Sequence, residues 1–179
     1  MSSQTTDAAL VAAARSGNDA AYARIVDRYQ GAIRAFLRRL SPYDADADDL
    51  AQEVFLAGWT ELRRLRQPER LKTWLFSIAW RKAKGQARTM ARSRRRDHDW
   101  QEMRPDSETP QTERAIALRQ ALAQLPPDQR AAISLCLGEG WSHGDAANVL
   151  EMPLGTVKSH VLRGRARLAE ILGVGDGQD

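Results

Sequence analysis

The sequence predicts an all-α protein built as two small helical domains joined by a flexible linker. Three observations carry that expectation. Apolar residues recur at spacings of three and four along most of the chain, the pattern of helices with one buried face. Gly and Pro, which punctuate turns, number only 12 and 7 among 179 residues, and nothing reads as a run of strands. Between residues 91 and 112, ARSRRRDHDWQEMRPDSETPQT, the periodicity is lost in a charged stretch ending in Pro, Ser and Thr, the composition of a linker. The expected domains are therefore residues 1–90 and 113–179.

Residues 7–16 form a short helix ending at Gly17, after which Asn18 and Asp19 offer an N-cap for the next. The second helix runs to about Leu40, with Tyr22, Ile25, Val26, Tyr29, Ile33, Phe36, Leu37 and Leu40 at helical spacing. Ser41 and Pro42 stop it, and Arg34, Arg38 and Arg39 line its outer side as solvated charge. A third helix begins in the acidic run Asp44, Asp46, Asp48 and Asp49, because carboxylates favour a helix N-terminus, and continues through Leu50, Val54, Phe55, Leu62 and Leu65. On it Asp49, Gln52, Glu53 and Leu56 share one stripe. No His or Cys converges there, so a protein-docking stripe is expected rather than a metal site.

The loop 66–72, RQPERLK, is basic and broken by Pro68. A fourth helix follows, turning Leu71, Trp74, Leu75, Ile78 and Ala79 inward and Arg81, Lys82, Lys84 and Arg88 outward. Cations interleaved with Trp74, Phe76 and Trp80 have two explanations. They suit a single-stranded nucleic acid, whose bases stack on rings while cations track phosphates, and equally an aromatic core beneath solvated charge. An exposed Trp80 would favour the first.

Stretched out, the segment 91–112 spans about 75 Å, close to two turns of B-DNA, so two DNA-reading domains could reach sites two turns apart. Beyond it a helix over 113–125 carries Ile116, Leu118, Ala121 and Leu122. Another starts after Pro126 and Pro127, tolerated in a first turn, includes Ile133, Leu135, Cys136 and Leu137, and stops at Gly138 to Gly140. Ser142, three residues before Asp145, resembles a capping box for a short helix bearing Ala146, Ala147, Val149 and Leu150. Glu151, Met152 and Pro153 break that helix, and Thr156 opens the last one.

Winding residues 153–172, PLGTVKSHVLRGRARLAEIL, at about 100° per residue brings Val157, Val161, Gly164, Leu168, Ile171 and Leu172 onto one buried face. The opposite face collects Lys158, Ser159, Leu162 and Arg163, flanked by Thr156, His160, Arg165 and Arg167. Lys and Arg reach guanine edges or phosphates, Ser hydrogen-bonds either, and Leu meets a thymine methyl. A basic surface helix or one lying on a membrane would look alike. The short helix and tight break upstream decide for a helix-turn-helix. Glu151 stands where such turns often carry Gly.

Bulk properties agree. The sequence pI is about 9.6, with net charges of +5 over residues 1–90 (15 basic, 10 acidic), zero over 91–112 (5 and 5) and −1 over 113–179 (7 and 8). The C-terminal cations are thus concentrated on one helix instead of spread over a basic domain. The single cysteine, Cys136, sits in an apolar run and is expected as a core filler. No segment has the length or apolarity of a membrane span, and the N-terminus lacks a signal-peptide pattern, so a cytoplasmic protein is expected. His98, His143 and His160 fall in a linker, a turn and an outward face without a nucleophile or ligand spacing nearby, and no enzyme activity, cofactor or metal is expected.

With these residues laid out, the chain resembles the bacterial RNA polymerase sigma factors of the extracytoplasmic function group in the sigma-70 family. The strings are DDLAQEVFLAGW (48–59), LKTWLFSIAW (71–80), LPPDQRAAISL (125–135) and GWSHGDAANVLEMPLGTVKSHVLRGRARL (140–168). They stand in the family's order and spacing and cover nearly everything outside the linker. The resemblance implies that 1–90 is sigma region 2 and 113–179 sigma region 4. It implies that Asp49, Gln52, Glu53 and Leu56 dock on the β′ clamp helices of core RNA polymerase, while region 4 meets the β flap. The loop with Arg66, Arg70 and Lys72 would capture a flipped base of the minus-10 element, and Arg81, Lys84 and Arg88 would read and open it. Lys158, Ser159, Leu162 and Arg163 would read the minus-35 duplex, with Thr156, His160, Arg165 and Arg167 beside them. The linker would run through the polymerase cleft, and an anti-sigma factor joins polymerase and promoter DNA among the implied partners.

Three positions depart from the family's habit and bear on promoter preference: Arg81 where Asn is common, Gly85 where Asp is common and His160 where Arg is common. The mechanism implied is selective binding with no covalent chemistry, strand opening being stabilised by trapping unstacked bases. The competing expectation is a stand-alone regulator that binds duplex DNA as a dimer through the helix-turn-helix, without polymerase.

Overall fold

The computed structural model describes residues 5–41, 44–96 and 113–173. Among these no strand occurs, and eight α-helices follow in order: α1 (Asp7–Arg15), α2 (Asp19–Leu40), α3 (Asp44–Glu61), α4 (Leu71–Arg96), α5 (Glu113–Ala123), α6 (Pro127–Ile133), α7 (His143–Leu150) and α8 (Leu154–Leu172). Short 3-10 turns at Leu62–Arg64 and Pro68–Arg70 lead from α3 into α4. Because α4 reaches Arg96, the linker expected from residue 91 starts later. RSRRR has no apolar stripe, but Arg is a good helix former and propagates a helix already begun. The rest of the expected linker, 97–112 with His98, lies outside the described residues.

Local chemistry sets the helix starts. Thr6 Oγ1 accepts from the Ala9 N–H at 3.3 Å and Asn18 Oδ1 from the Ala21 N–H at 3.0 Å, each satisfying a donor that a first turn leaves free. At the far end of α1, Arg15 donates to the carbonyls of Leu62 and Leu65, which ties α1 to the turn after α3. The helices α1 to α4 close around Ile25, Ile33, Phe36, Leu37, Val54 and Leu75, all fully buried. Where α2 crosses α3, the Tyr22 hydroxyl donates to the Phe55 carbonyl. Gly58 permits that approach, since a Cβ there would meet the Tyr22 oxygen at 2.8 Å.

In the C-terminal half α5, α6 and α8 share a small core of Ala121, Leu122, Leu125, Ile133 and Leu168. Past Ile133 the helix widens to π geometry over Ser134–Gly138. Several residues expected inside face out: Ile116 and Leu118 are each 43% exposed and Leu137 is 56% exposed. Ile116 points away from Ala121 and Leu122, and Leu118, though on their side of α5, stands a turn earlier, in the exposed first half of the helix. At Leu137 the wider turn shifts the phase of the stripe. Cys136 is half-buried against the core rather than within it, and burial pushes its thiol pKa up. Leu172, expected on the buried face of α8, is half-exposed at the helix end.

The two halves also pack on each other. α2 lies against α5, α6 and the π turn, and α4 lies against α7. Leu135, Ala146, Val149, Leu150, Val157 and Val161 therefore belong to one buried cluster with the N-terminal core.

Candidate nucleic-acid interface

The helix-turn-helix forms as its sequence suggests. Ser142 Oγ accepts from the Asp145 N–H at 3.0 Å and donates to the Asp145 carboxylate at 2.6 Å, fixing the start of α7. Glu151 ends α7 at φ 54°, the one non-glycine residue with positive φ among those described. That is the left-handed conformation Gly adopts at least cost, so Glu151 fills the usual Gly place without altering the turn. The buried face of α8 comprises Val157, Val161, Gly164 and Leu168. At Gly164 α6 comes so close that a Cβ would meet Ile133 Cδ1 at 2.8 Å. This contact fixes the rotation of α8.

Fixed this way, α8 turns Lys158, Ser159, Leu162, Arg163, Arg165 and Arg167 to solvent, while Thr156 and His160 are half-buried. Leu162 is 72% exposed, a cost to an isolated domain that a thymine methyl would offset. Arg163 Nη2 lies 3.5 Å from His160 Nδ1, one turn away on the same face. Arg167 pairs with Glu170 at 2.9 Å, whereas no acidic side chain pairs with Lys158, Arg163 or Arg165 among the described residues. The free charge is at the N-terminal two-thirds of the helix, the part that enters a major groove.

The second group of cations is arranged differently. Arg66, in the bend before the second 3-10 turn, Arg70 on that turn, and Arg81 and Arg88 on α4 are all exposed. Lys84 is 4.0 Å from Asp128 and 5.4 Å above the Trp80 ring. Lys72 Nζ sits 4.5 Å over the ring of Trp141. Phe76 and Trp80 are buried and Trp74 is half-buried, so these aromatics are core and Trp80 offers no open stacking platform. Both explanations put the cations outward and differed only in the rings; Phe36 of α2 and Trp141, from the loop before α7, pack against Phe76.

Asp49, Gln52, Glu53 and Leu56 are all exposed on one stripe of α3, Leu56 at 65%. Glu53 is held 2.8 Å from Lys82 of α4, so the stripe and the basic helix share an ion pair. One further residue extends the stripe. Trp59, three positions after Leu56, is 39% exposed and packs edge-on against Tyr22 at 4.8 Å. Its spacing was the available signal, obscured because a Trp is normally assigned to a core. Among the described residues no group of three His, Cys, Asp or Glu side chains could hold a metal ion, and no helix is long and apolar enough to cross a membrane.

Comparison with known proteins assigns both halves. Residues 25–97 match the Sigma-70 region 2 family model and residues 115–168 the Sigma-70, region 4 model. The extracytoplasmic function (ECF) RNA polymerase sigma factor SigM of Mycobacterium tuberculosis is 32% identical over 95% of this chain and 86% of its own length. Among solved structures, the sigma factor RpoE in complex with the anti-sigma factor NepR from Bartonella quintana superposes with a TM-score of 0.73 at 30% identity, over 86% of this chain and 98% of that one. CnrH in complex with the cytosolic domain of CnrY gives the same TM-score at 27% identity, over 95% of this chain and 99% of that one. Two sigma modules in order, with relatives of this identity and coverage, place this chain in the sigma-70 family as an ECF sigma factor that directs RNA polymerase to promoters.

Proposed function

We propose that the chain is a non-enzymatic, cytoplasmic initiation factor whose two domains, 1–90 and 113–179, read the two halves of a promoter while held on core polymerase. Docking is assigned to Asp49, Gln52, Glu53 and Leu56 on the β′ clamp helices, with Trp59 extending the apolar end of the stripe and region 4 meeting the β flap. Minus-35 duplex is read by Lys158, Ser159, Leu162 and Arg163, with Thr156, His160, Arg165 and Arg167 contributing phosphate or neighbouring base contacts. The minus-10 strand is assigned to Arg66, Arg70, Lys72, Arg81, Lys84 and Arg88. With Phe76 and Trp80 buried, that strand is held by cations and backbone more than by stacked rings.

The observation that carries this reading is the outward face of α8, where Lys158, Arg163 and Arg165, with no acidic partner among the described residues, surround an exposed Leu162 on a helix whose opposite face is locked against α6. Because one solved relative is a complex with an anti-sigma factor, an inhibitor of that kind is included among the partners, beside polymerase and promoter DNA. Docking is tested by Asp49→Arg, which inverts charge at an exposed site. The variant should keep its unfolding temperature yet no longer co-purify with core polymerase. Retained co-purification would remove the α3 stripe from the interface.

A further inference from the structure

The first helix, α1, carries none of the side chains assigned above to polymerase or DNA, yet its last turn grips the segment that leads into the minus-10 loop. Leu10, Val11 and Ala14 are buried, and Asp7 accepts from Arg28 and Tyr29 of α2, so α1 is anchored along its length. From its end Arg15 reaches across to the turn after α3. Its Nε and Nη2 donate to the Leu62 carbonyl at 3.2 and 3.1 Å, and Nη2 donates to the Leu65 carbonyl as well. The Leu62 carbonyl also accepts from the Leu65 N–H at 3.3 Å. One guanidinium therefore pins both ends of that 3-10 turn, with hydrogen bonds strengthened by its charge.

The loop that follows is held at its two margins. Leu65 and Leu71 are buried, whereas Arg66, Gln67, Glu69 and Arg70 between them are exposed, and the Arg70 N–H donates to the Gln67 carbonyl at 2.9 Å. Leu71 is fixed by α4, so the Leu65 margin decides how the loop is presented. Beside Arg15 a cleft opens between Trp59, Thr60 and Arg63. Shortening Arg15 leaves no sealed void there, and water entering the cleft takes over the two carbonyls. What is lost is the shape of the turn, not the core beneath it.

We propose that Arg15 is a positioning residue for minus-10 recognition: by clamping the Leu62 and Leu65 carbonyls it holds loop 66–72 in the shape that presents Arg66, Arg70 and Lys72 to the unpaired strand. The inference rests on the assignment of that loop made above, while the clamp itself stands on the hydrogen bonds. An unstacked base is selected by groups already in place. A loop free to sample other shapes discriminates less between bases, although its cations still attract phosphates.

The test uses the full chain bound to core polymerase and fluorescein-labelled single-stranded minus-10 oligonucleotides in which each base is varied in turn. At the position wild type discriminates most, Arg15→Ala should shrink the ratio of best to worst affinity about fivefold, the low end of what one wrong base costs. Affinity for the worst oligonucleotide and co-purification with polymerase should not change. Arg15→Gln, whose amide nitrogen stands where Nε does and donates to Leu62, should restore part of the ratio without the charge. In the free chain, hydrogen exchange of Arg15→Ala should quicken over 62–72 and stay at the wild-type rate over 25–37. Wild-type exchange over 62–72 would defeat the clamp, and quickening over both segments would make Arg15 a general stabiliser and overturn the proposal. Faster exchange over 62–72 alone with an unchanged base ratio would overturn the positioning role. A wild-type chain with no base preference in any oligonucleotide would instead defeat the assignment of the loop, and the proposal with it.

Discussion

Substituting Gly164 by Ala tests how the recognition helix is set. In an unconstrained helix interior this change would stabilise by about 1 kcal/mol through propensity. Here the added methyl would lie 2.8 Å from Ile133 Cδ1 and 3.0 Å from its Cγ1, with Leu125 Cδ1 at 3.7 Å. Ile133 is itself buried against Leu122, Leu125 and Leu168 and has little space in which to retreat. Forcing a methylene into such packing costs about 1–3 kcal/mol, so the net expectation is a loss of about 1 kcal/mol. With an m-value of about 2 kcal/mol/M, the urea midpoint followed by circular dichroism should fall by about 0.5 M. Ile133→Val removes the clashing atom. Its ordinary cost of about 1 kcal/mol should largely vanish in the Gly164→Ala background, a coupling of about 1 kcal/mol between touching residues. If Gly164→Ala instead raises the midpoint, propensity has won and the close approach of α6 and α8 is not what sets α8.

Arg163→Ala should lower transcription by about tenfold on promoters that keep the preferred minus-35 base, corresponding to about 1–3 kcal/mol of base discrimination; an equal loss on all promoters would mark a phosphate contact. Glu151→Gly should raise stability by about 0.5 kcal/mol in urea unfolding, because a left-handed L-residue costs about 1–2 kcal/mol and added chain entropy takes back part of the gain. A destabilised Glu151→Gly variant would mean that the Glu side chain makes a contact worth more than that strain. Cys136, half-buried with its thiol pKa pushed up, should react with iodoacetamide at pH 8 more slowly than a free thiol and speed up in urea, since the thiolate is the nucleophile. Equal rates in both conditions would show an open thiol.

Where local chemistry decides, the sequence was sufficient. Asn18 and Ser142 announced their caps, and Val157, Val161, Gly164 and Leu168 fell on the buried side of α8 with the cations opposite, because one helical period fixes both faces at once. It was insufficient wherever a residue's partner lies far along the chain. Phe76 and Trp80 could have been a stacking platform or a core, since periodicity gives a side chain's direction along its own helix but not what covers it. Ile116 and Leu118 looked internal for the same reason, though α5 buries only its second half. Arg39, expected as solvated charge, reaches Glu139 one hundred positions away, and Lys72, expected to face DNA, lies over Trp141. Nothing in either half's pattern foretold that the halves share a core. The candidate DNA-reading surface was legible in outline, and the contact that covers part of it was not.

The account stands most directly on run-off transcription with purified core polymerase over a panel of candidate promoters, with wild-type chain and the Asp49→Arg and Arg163→Ala variants. It predicts transcripts from a subset of promoters only when wild-type chain is present, none with Asp49→Arg, and a loss with Arg163→Ala that follows the minus-35 sequence. Absence of any transcript, together with tight specific binding of duplex DNA by the chain without polymerase, would contradict it and point to a self-sufficient dimeric regulator.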